Sequence, residues 1–389
     1  MADGLKRLTD IHQKSSRLIL GLMSGTSHDA VDAALVEIKG KREKMRARLI
    51  HHYHHPFTNA IRNKIKASFS GPTRLICSLN FELAEVFSEA AILCLKESGI
   101  KPSEVDAIAS HGQTIYHMPP EKGRMGSTLQ IGSASVIAER TGILVVSNFR
   151  NRDMAAQGEG APLVPYADYL LFHKKGKNMA IQNIGGIANV TLVTEAMEDV
   201  IAFDTGPGNS LIDEAVKVLT NGRLSMDVDG RLAYRGELNK GLLDELLSHP
   251  YLRKQPPKST GREVFGQATV ADITRRYHRA KKEDIIKTLT VFTARSIYDA
   301  YRRFIFPKVI PDEVVLCGGG SKNPFLTGVL TDIFKPIPIR PIEAFGIPSS
   351  AKEAMCFAIL ANETLSGIPC NLPQVTGAER QVILGDITL

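Results

Sequence analysis

One pattern occurs twice in this chain and restricts what the chain can fold into. Leu18–Met23 and Ala33–Ile38 are apolar runs of strand-favouring residues, and a small polar turn separates them. Met179–Val193 repeats this arrangement around Gly185 and Gly186. Each copy predicts a β-hairpin. Two hairpins of one design, each at the start of one half of the chain, predict a duplicated α/β fold.

The turn of the first hairpin suits the phosphates of a nucleotide. Small residues let backbone N–H groups converge, and hydroxyl groups add donors. Asp29 and Asp32 add negative charge that suits a hydrated Mg²⁺, which Asp29 would hold through water. A Ser/Gly turn that merely reverses the chain is the alternative, and the second hairpin argues against it. The turn consists of Ser24, Gly25, Thr26, Ser27, His28 and Asp29.

The composition favours a soluble, cytoplasmic protein of two domains. A chain of 389 residues with 43% hydrophobic content can bury a sizeable core. No apolar run approaches the roughly 20 residues of a membrane span, and the five scattered cysteines suit reduced thiols. The net charge of +7 is dispersed, and the basic run Lys39–Arg48 has no interleaved aromatic residues. We therefore expect neither a membrane nor a nucleic-acid partner.

Two predicted strands run into polar residues that suit an active site. Val105–Ser110 continues into His111–Thr114, which indicates the rim of a site. The strand Val200–Asp204 ends in a carboxylate, and an acidic residue at the lip of a cleft can act as a general base. The alternative is that Asp204 caps the following helix, although Asn209 is better placed to do so.

Three further segments carry features of interest. Gly318–Gly320 follow a predicted strand and precede a helix, so a purine or its ribose could approach the backbone closely. Asn148–Pro165 is predicted to be a loop that concentrates arginine and carboxylate side chains, although ion pairing alone could explain them. Glu353 lies in the first turn of a predicted helix, where a structural role through the helix dipole is equally open. The run His51–His55 is interpreted as part of a strand with a structural role. Dinucleotide-binding and P-loop signatures are absent from the sequence.

Together these features resemble the actin/hexokinase/Hsp70-type ATPases, which hold ATP in an interdomain cleft. More specifically, the chain resembles the bacterial anhydro-N-acetylmuramic acid kinases, because motifs of that family occur here in the same order. This resemblance extends from Ile19 to Gly385. The matching motifs are Met23–Ser27, Ser110–Thr114, Phe149–Asp153, Gly160–Pro165, Asn183–Asn189, Phe203–Asn209, Pro257–Glu263, Gly318–Gly320 and Thr376–Ala378.

The resemblance implies a fold and a reaction. The fold is two duplicated actin/hexokinase-like (ribonuclease H-like) domains, with residues 1–177 and 350–389 in one and 178–349 in the other. The reaction uses ATP, Mg²⁺ and water to open 1,6-anhydro-N-acetylmuramic acid and to phosphorylate O6, in peptidoglycan recycling. A carboxylate must activate water at the anomeric carbon, while the γ-phosphoryl group captures the departing O6.

The resemblance also assigns roles to single residues. It places the water-activating carboxylate at Asp204 and a supporting carboxylate at Glu353, and Asp153 is included with them as a catalytic candidate. The residues implied to bind the sugar are His111, Gln113, Arg150, Asp153, Gly206 and Asn209. The residues implied to bind the nucleotide are Gly25, Thr26, Ser27, His28, Asp29, Ala30, Val31, Asp32, Asn183, Gly185, Gly186, Gly318, Gly319, Gly320 and Asn323.

The chain departs from the family pattern at four positions. His28 and Ala30 stand where Leu and Gly are usual, and Gln157 and Glu159 stand where Gly and Gln are usual. These departures leave the substrate open, so a kinase for a different sugar or acid is the first rival. A peptide-binding, chaperone-like ATPase is the second. A metalloprotease using His111 and His117 is the third. A homodimer is also left open.

Overall fold

The structure is a computed structural model that describes residues 2–25, 27–120 and 124–389. The chain divides into two compact units, Met1–Leu171 with Ser350–Leu389 and Phe172–Ser349. Both units are α/β. In the described part of the chain no helix is both long enough and apolar enough to cross a bilayer.

Strands and helices alternate through most of the first unit. Up to residue 171 its strands are β1 (Ser16–Met23), β2 (Ala30–Lys39), β3 (Arg46–Pro56), β4 (Ala107–Ser110), β5 (Gln113–Met118), β6 (Ser127–Ile131) and β7 (Val145–Ser147). The helices of the same segment are α1 (Ala2–Gln13), α2 (Asn59–Ser68), α3 (Thr73–Ser98), α4 (Ala134–Thr141), α5 (Phe149–Ala155) and α6 (Val164–Phe172).

The second unit has one sheet and a larger helical layer. Its strands are β8 (Met179–Ile184), β9 (Ile187–Val193), β10 (Ile201–Pro207), β11 (Glu313–Cys317) and β12 (Ile339–Pro341). Its helices are α7 (Ser210–Leu219), α8 (Arg231–Arg235), α9 (Lys240–Leu247), α10 (Gln267–Arg276), α11 (Lys282–Ala300) and α12 (Pro324–Phe334). The chain then returns to the first unit with α13 (Lys352–Leu365), α14 (Pro373–Thr376) and β13 (Asp386–Thr388).

The main sheets of the two units share one topology. In the first unit the order is β13-β7-β4-β1-β2-β3, and in the second it is β10-β9-β8-β11-β12, while β5 and β6 pair separately. In each main sheet the first three strands form an antiparallel meander, and two later strands continue the sheet in parallel from the first: β4 and β7 in the first unit, β11 and β12 in the second. The edge strand β13 joins only the first sheet. The duplicated α/β fold expected from the two hairpins is confirmed.

The first hairpin is apolar because both faces of its sheet are covered. Leu20, Leu22 and Val31 belong to the core cluster that includes residues of α3. On the other face α13 approaches β1 so closely that a Cβ on Gly21 would lie 1.9 Å from the carbonyl oxygen of Ala354. Only glycine allows this backbone contact. This backbone contact places the start of α13 beside the turn of the hairpin.

Two expectations about local structure were wrong. Asn148–Pro165 is not a loop throughout, because Phe149–Ala155 forms a seven-residue helix. Its Arg, Met and Ala residues favour a helix, and the chain-breaking glycines and prolines begin only at Gly158. The strand β10 also does not end at Asp204 but continues to Pro207, with a register shift between Asp204 and Gly206. Asp204 therefore lies beside a bulge inside a strand.

The histidine run lies in β3, as expected, but its acidic partners had not been anticipated. His52 Nε2 and His54 Nδ1 both contact Asp32 Oδ1, at 3.0 and 2.9 Å. They share one face of β3 because side chains alternate along a strand. Asp32 pairs with His54 across the two strands. Two histidines of the run therefore contact a carboxylate of the hairpin.

Candidate active site

The turn of the first hairpin is held in place by Gln113, the first residue of β5. Ser24 Oγ donates to Gln113 Oε1 at 2.7 Å, and Gln113 Nε2 contacts His28 Nδ1 at 2.9 Å. Gln113 Nε2 also donates to the carbonyl oxygen of Thr114, which fixes the orientation of the amide. His28 Nδ1 must therefore accept, so this ring nitrogen carries no proton. Thr26, also predicted to bind phosphate, lies outside the described residues.

The four departures from the family pattern have different structural consequences. His28 adopts a φ of 53°, and Gln157 a φ of 67°, so both occupy the left-handed region. Side chains are strained there by roughly 1 kcal/mol, whereas the glycine usual in place of Gln157 is not. Ala30 lies buried in β2, where its methyl group meets no such constraint. Glu159 donates its backbone N–H to the carbonyl oxygen of Thr376.

Glu353 lies in the first turn of α13 and against the first hairpin. A Cβ on Gly25 would be 3.9 Å from Glu353 Oε2. Burial raises the pKa of Glu353, the positive charges of Lys352 and Arg150 oppose that shift, and Asp32 reinforces it. The neighbouring Lys352 is itself buried and pairs with the buried Asp168 at 2.7 Å. The carboxylate of Glu353 thus faces the turn of the first hairpin, in a region with several charged side chains.

Arg150 and His111 form a second polar pair in this unit. His111 Nδ1 lies 2.9 Å from the carbonyl oxygen of Gly112, and Arg150 Nε donates to His111 Nε2 at 3.1 Å. Burial, with the Arg150 charge, lowers the pKa of His111 to about 3, so the ring is neutral. Both ring nitrogens are therefore engaged, which argues against a metal ligand at His111 and against the metalloprotease hypothesis.

Asp153 is fully buried and accepts hydrogen bonds from three groups. Asn371 Nδ2 and Thr376 Oγ1 each donate to Oδ1 at 2.7 Å, and the backbone N–H of Gly160 donates to Oδ2 at 2.8 Å. Arg150 Nη1 donates to the carbonyl oxygen of Gly160. Asp153 thereby joins α5, the turn that follows it and the C-terminal segment of the same unit.

A cavity of about 560 Å³ opens near the carboxyl ends of β4 and β7 in the first unit. Most of its polar lining consists of hydroxyl and amide groups, which can orient a small ligand through hydrogen bonds. The hydroxyl of Ser110 is buried and has no hydrogen-bond partner in the described structure. The polar lining residues are Thr73, Asn80, Ser110, His111, Gln130, Ser133, Ser135, Ser147, Asn148, Asp386 and Thr388.

The second unit brings the other glycine segments to one end of its sheet. The backbone N–H groups of Gly208 and Asn209 donate to the carbonyl oxygens of Gly186 and Gly185 at 2.9 and 2.8 Å. A Cβ on Gly208 would lie 2.3 Å from the carbonyl oxygen of Gly185, so this contact requires glycine. Gly318 follows β11, whose last residue pairs with Asn183. Asn183, Gly185, Gly186, Asn209 and the glycine triplet are thus neighbours.

Two residues predicted to bind ligands have clear structural partners. Asn323 Oδ1 accepts from the backbone N–H groups of Phe325 and Leu326, so it caps α12. Gly206 is buried, and a Cβ there would lie 2.9 Å from Ser296 Oγ. These contacts explain, within the second unit alone, why an asparagine and a glycine occupy these two positions.

Asp204 is oriented by residues that follow α9. Its backbone N–H donates to the carbonyl oxygen of Lys258 at 3.1 Å, and its Oδ2 accepts from the N–H of Thr260 at 3.0 Å. Tyr251 donates its hydroxyl to the carbonyl oxygen of Asp204 at 2.8 Å. Asp204 is partly exposed, and these hydrogen bonds fix the position of its carboxylate.

Sequence reasoning missed the supporting residues around these sites. Lys258 and Thr260 belong to the matching motif Pro257–Glu263, but nothing in the sequence indicated that this motif contacts Asp204. The ion pair of Asp168 with Lys352 was missed because the two residues are far apart along the chain. An aspartate in the apolar helix α6 was the only available sign that it has a partner.

The described residues contain no group of three or more His, Cys, Asp or Glu side chains that could hold a metal ion. A Mg²⁺ that keeps most of its waters needs fewer protein ligands, because one or two carboxylates and the phosphates are enough to bind it. Asp29 is exposed at the first hairpin, and Asp32 is partly exposed. These are the two carboxylates that suit such an ion.

Known proteins resemble this chain over nearly its full length. A family model described as anhydro-N-acetylmuramic acid kinase matches residues 17–389. A relative of that name from Caldanaerobacter subterraneus subsp. tengcongensis is 46% identical over 396 residues, covering 99% of this chain and 100% of its own. Another, from Bacillus cereus strain AH820, is 47% identical over 378 residues, covering 95% and 98%.

Solved structures are matched more remotely. Component A of the (R)-2-hydroxyglutaryl-CoA dehydratase from Acidaminococcus fermentans covers 90% of this chain and 99% of its own, with 14% identity and a TM-score of 0.47. That score is too low to bear on function, whereas the sequence matches are extensive. The chain therefore belongs to the anhydro-N-acetylmuramic acid kinase family.

Proposed function

We propose that this chain is an ATP-dependent carbohydrate kinase that opens 1,6-anhydro-N-acetylmuramic acid and yields N-acetylmuramic acid 6-phosphate and ADP. The observation that carries the proposal is the orientation of Asp204, whose backbone and carboxylate are both held by hydrogen bonds from the segment 251–260. Such preorganisation suits a general base. The family's name and the two glycine-rich turns support the same reaction.

The chemistry joins hydrolysis to phosphoryl transfer. Asp204 accepts a proton from water as the water oxygen bonds to the anomeric carbon. The bond between that carbon and O6 breaks, and O6 takes the γ-phosphoryl group of ATP instead of a proton. Water thus supplies the anomeric hydroxyl, and ADP leaves. A resident acid for O6 is not required.

The first hairpin and the glycine turns of the second unit are assigned to ATP. Gly25, Ser27 and the backbone beside them donate to phosphate oxygens, and Gln113 keeps the turn in shape through Ser24 and His28. Asp29 and Asp32 would hold Mg²⁺ through water, and the ion would neutralise phosphate charge. Because ATP is the phosphoryl donor, a cytoplasmic location is part of the proposal, and the association of this enzyme with peptidoglycan recycling follows from its substrate.

The sugar is assigned to the cavity at the ends of β4 and β7. Its hydroxyl and amide lining suits a polar ring, and Arg150, beside His111, gives the nearby positive charge for a carboxylate. Asp153 is buried and accepts its hydrogen bonds from groups of the protein, and it is assigned the positioning of Arg150 through Gly160. A kinase for another sugar is the remaining rival, and it differs in substrate, not in fold.

A substrate panel separates these two kinases. Purified protein with ATP and Mg²⁺ is offered the anhydro sugar, open N-acetylmuramic acid and N-acetylglucosamine, and ADP release is measured. We expect kcat/KM for the anhydro sugar to exceed the other values by at least about 100-fold, because opening the anhydro bond is part of the reaction. Equal rates with the open sugar would contradict the proposal.

Asp204→Asn tests the base directly. Asparagine keeps an oxygen that can accept from Thr260 but cannot take a proton from water, so folding and ATP binding persist. We expect kcat to fall by about 10²- to 10⁴-fold. Asp199→Asn, an exposed position just before β10, is the matched control and keeps wild-type turnover. Near-normal turnover in the Asp204 variant would move the base to Asp153 or Glu353.

Glu353→Gln separates function from stability. Burial raises the pKa of Glu353 in the folded protein, so its ionised form opposes folding. The resulting loss of stability begins near pH 4.3, about the pKa of a glutamate in the unfolded chain. It is complete once the pH has passed the pKa of Glu353 in the folded protein. We therefore expect the variant to lose activity and to unfold at a higher temperature than wild type at pH 7, with the difference vanishing toward pH 4.

The control for this measurement is Glu379→Gln, which changes an exposed carboxylate in the same unit. Its melting temperature follows that of the wild type at each pH. If Glu353→Gln lowered the melting temperature at pH 7, Glu353 would have a stabilising structural role instead.

A further inference from the structure

Lys258 is a charged residue in an aromatic surrounding behind Asp204. Its side chain is only 5% exposed. The ammonium nitrogen lies 4.7 Å from the ring centroid of Phe304, 4.8 Å from that of Tyr251 and 5.7 Å from that of Phe203. We call these three rings the aromatic cage. A cage of this kind attracts a cation through the negative faces of the rings.

The cage alone does not explain why a lysine is retained there. Removing an ammonium group from water is costly, and methionine would fill the same space without that cost. The nearby positive groups Arg303 and Lys254 also disfavour the charge, and Asp204 favours it. Among the described residues the ammonium donates one hydrogen bond, a long one of 3.5 Å, to the carbonyl oxygen of Tyr251. Asp204 is therefore the charged group whose presence favours a cation at this place.

The cage and the site of Asp204 share the same residues. Tyr251 contributes a ring to the cage and donates its hydroxyl to the Asp204 carbonyl oxygen. Phe203 immediately precedes Asp204 in β10. The Lys258 carbonyl oxygen accepts from the Asp204 N–H, two residues before Thr260 donates to the carboxylate. A change in the position of the ammonium would be transmitted to Asp204 through these short connections.

We propose that Lys258 is a positioning residue whose caged ammonium keeps the Asp204 carboxyl ionised and oriented toward water. This inference rests on the proposed role of Asp204 as the base. It assigns to the motif Pro257–Glu263 a part in the reaction beyond shaping the chain.

The charge persists where it is needed. Burial is the main cause that lowers the pKa of Lys258, to about 8, while Asp204 opposes the shift. This pKa lies well above the range near pH 4 in which an ordinary aspartate titrates, so the ammonium is still protonated at those pH values. Among the titratable groups, Tyr251, Lys254, Arg303 and Asp204 face this ammonium. A nearby positive charge lowers the pKa of a carboxyl group.

The test compares Lys258→Met with Lys258→Arg by the pH dependence of kcat/KM. Removing the charge raises the pKa of Asp204, so we expect the acid limb of the profile to move up by about one pH unit or more in the methionine variant. The arginine variant keeps a charge and keeps the wild-type limb. A merely structural lysine would lower the rate equally at all pH values and leave the limb in place, which would overturn the inference.

Two controls keep the test decisive. Thermal unfolding and ATP binding at pH 7 check that Lys258→Met folds, and we expect its stability to equal or exceed that of wild type because a buried charge is gone. Lys254→Met removes an exposed neighbouring charge of the same sign and leaves the limb unchanged. If Asp204→Asn retains turnover, the proposed base has failed; if it loses turnover while Lys258→Met leaves the limb unmoved, only this inference has failed.

Discussion

Backbone contact between a helix and the first strand determines how the first unit presents its polar groups. At Gly21 the strand β1 meets the backbone of α13 at Ala354, and any side chain on that residue would force the two apart. Because α13 begins one residue before Glu353, this contact also brings the carboxylate beside Gly25 in the hairpin turn. The second unit uses the same device where Gly208 meets Gly185. Close approach of backbones thus shapes both glycine-rich turns.

Several charged groups near these turns are buried and paired within the protein, and their burial lowers the stability of the fold. Lys352 with Asp168, Arg150 with His111, and Lys258 with Asp204 each place a cation where burial opposes it. Removing such charges often leaves a fold as stable or more stable. Their retention is understandable if fixed charges are needed when charge develops on the sugar and on the transferred phosphoryl group. Stability and activity would then make opposite demands on the same residues.

The sequence was most informative where a local pattern determines local structure. The two hairpins follow from apolar runs around small turn residues, and their repetition predicts the shared sheet order that both units show. Asp204 was singled out for a sound chemical reason, but its strand continues because Gly206 allows a bulge that a reading of periodicity does not include. The helix Phe149–Ala155 was missed because glycines and prolines further along the segment dominated its composition.

Most of what surrounds the site depends on contacts between distant residues. The cage around Lys258 combines Phe203, Tyr251 and Phe304, and the clamp on Asp32 comes from His52 and His54 on the neighbouring strand. Neither spacing nor composition reveals which of these residues meet. The family resemblance implied the chemistry of the reaction, whereas the structure showed which residues contact the candidate site residues. The departures at His28 and Gln157 became interpretable only once their positive φ angles were known.

The central claim is that hydrolysis and phosphorylation occur in one reaction, with water attacking the anomeric carbon. Mass spectrometry of the product formed in ¹⁸O-labelled water tests it most directly, provided that the product is analysed before the anomeric hydroxyl exchanges with solvent. We predict one ¹⁸O atom, on the anomeric carbon, and none on the phosphoryl group. Label on the phosphoryl group, or an unlabelled anomeric hydroxyl, would contradict the account.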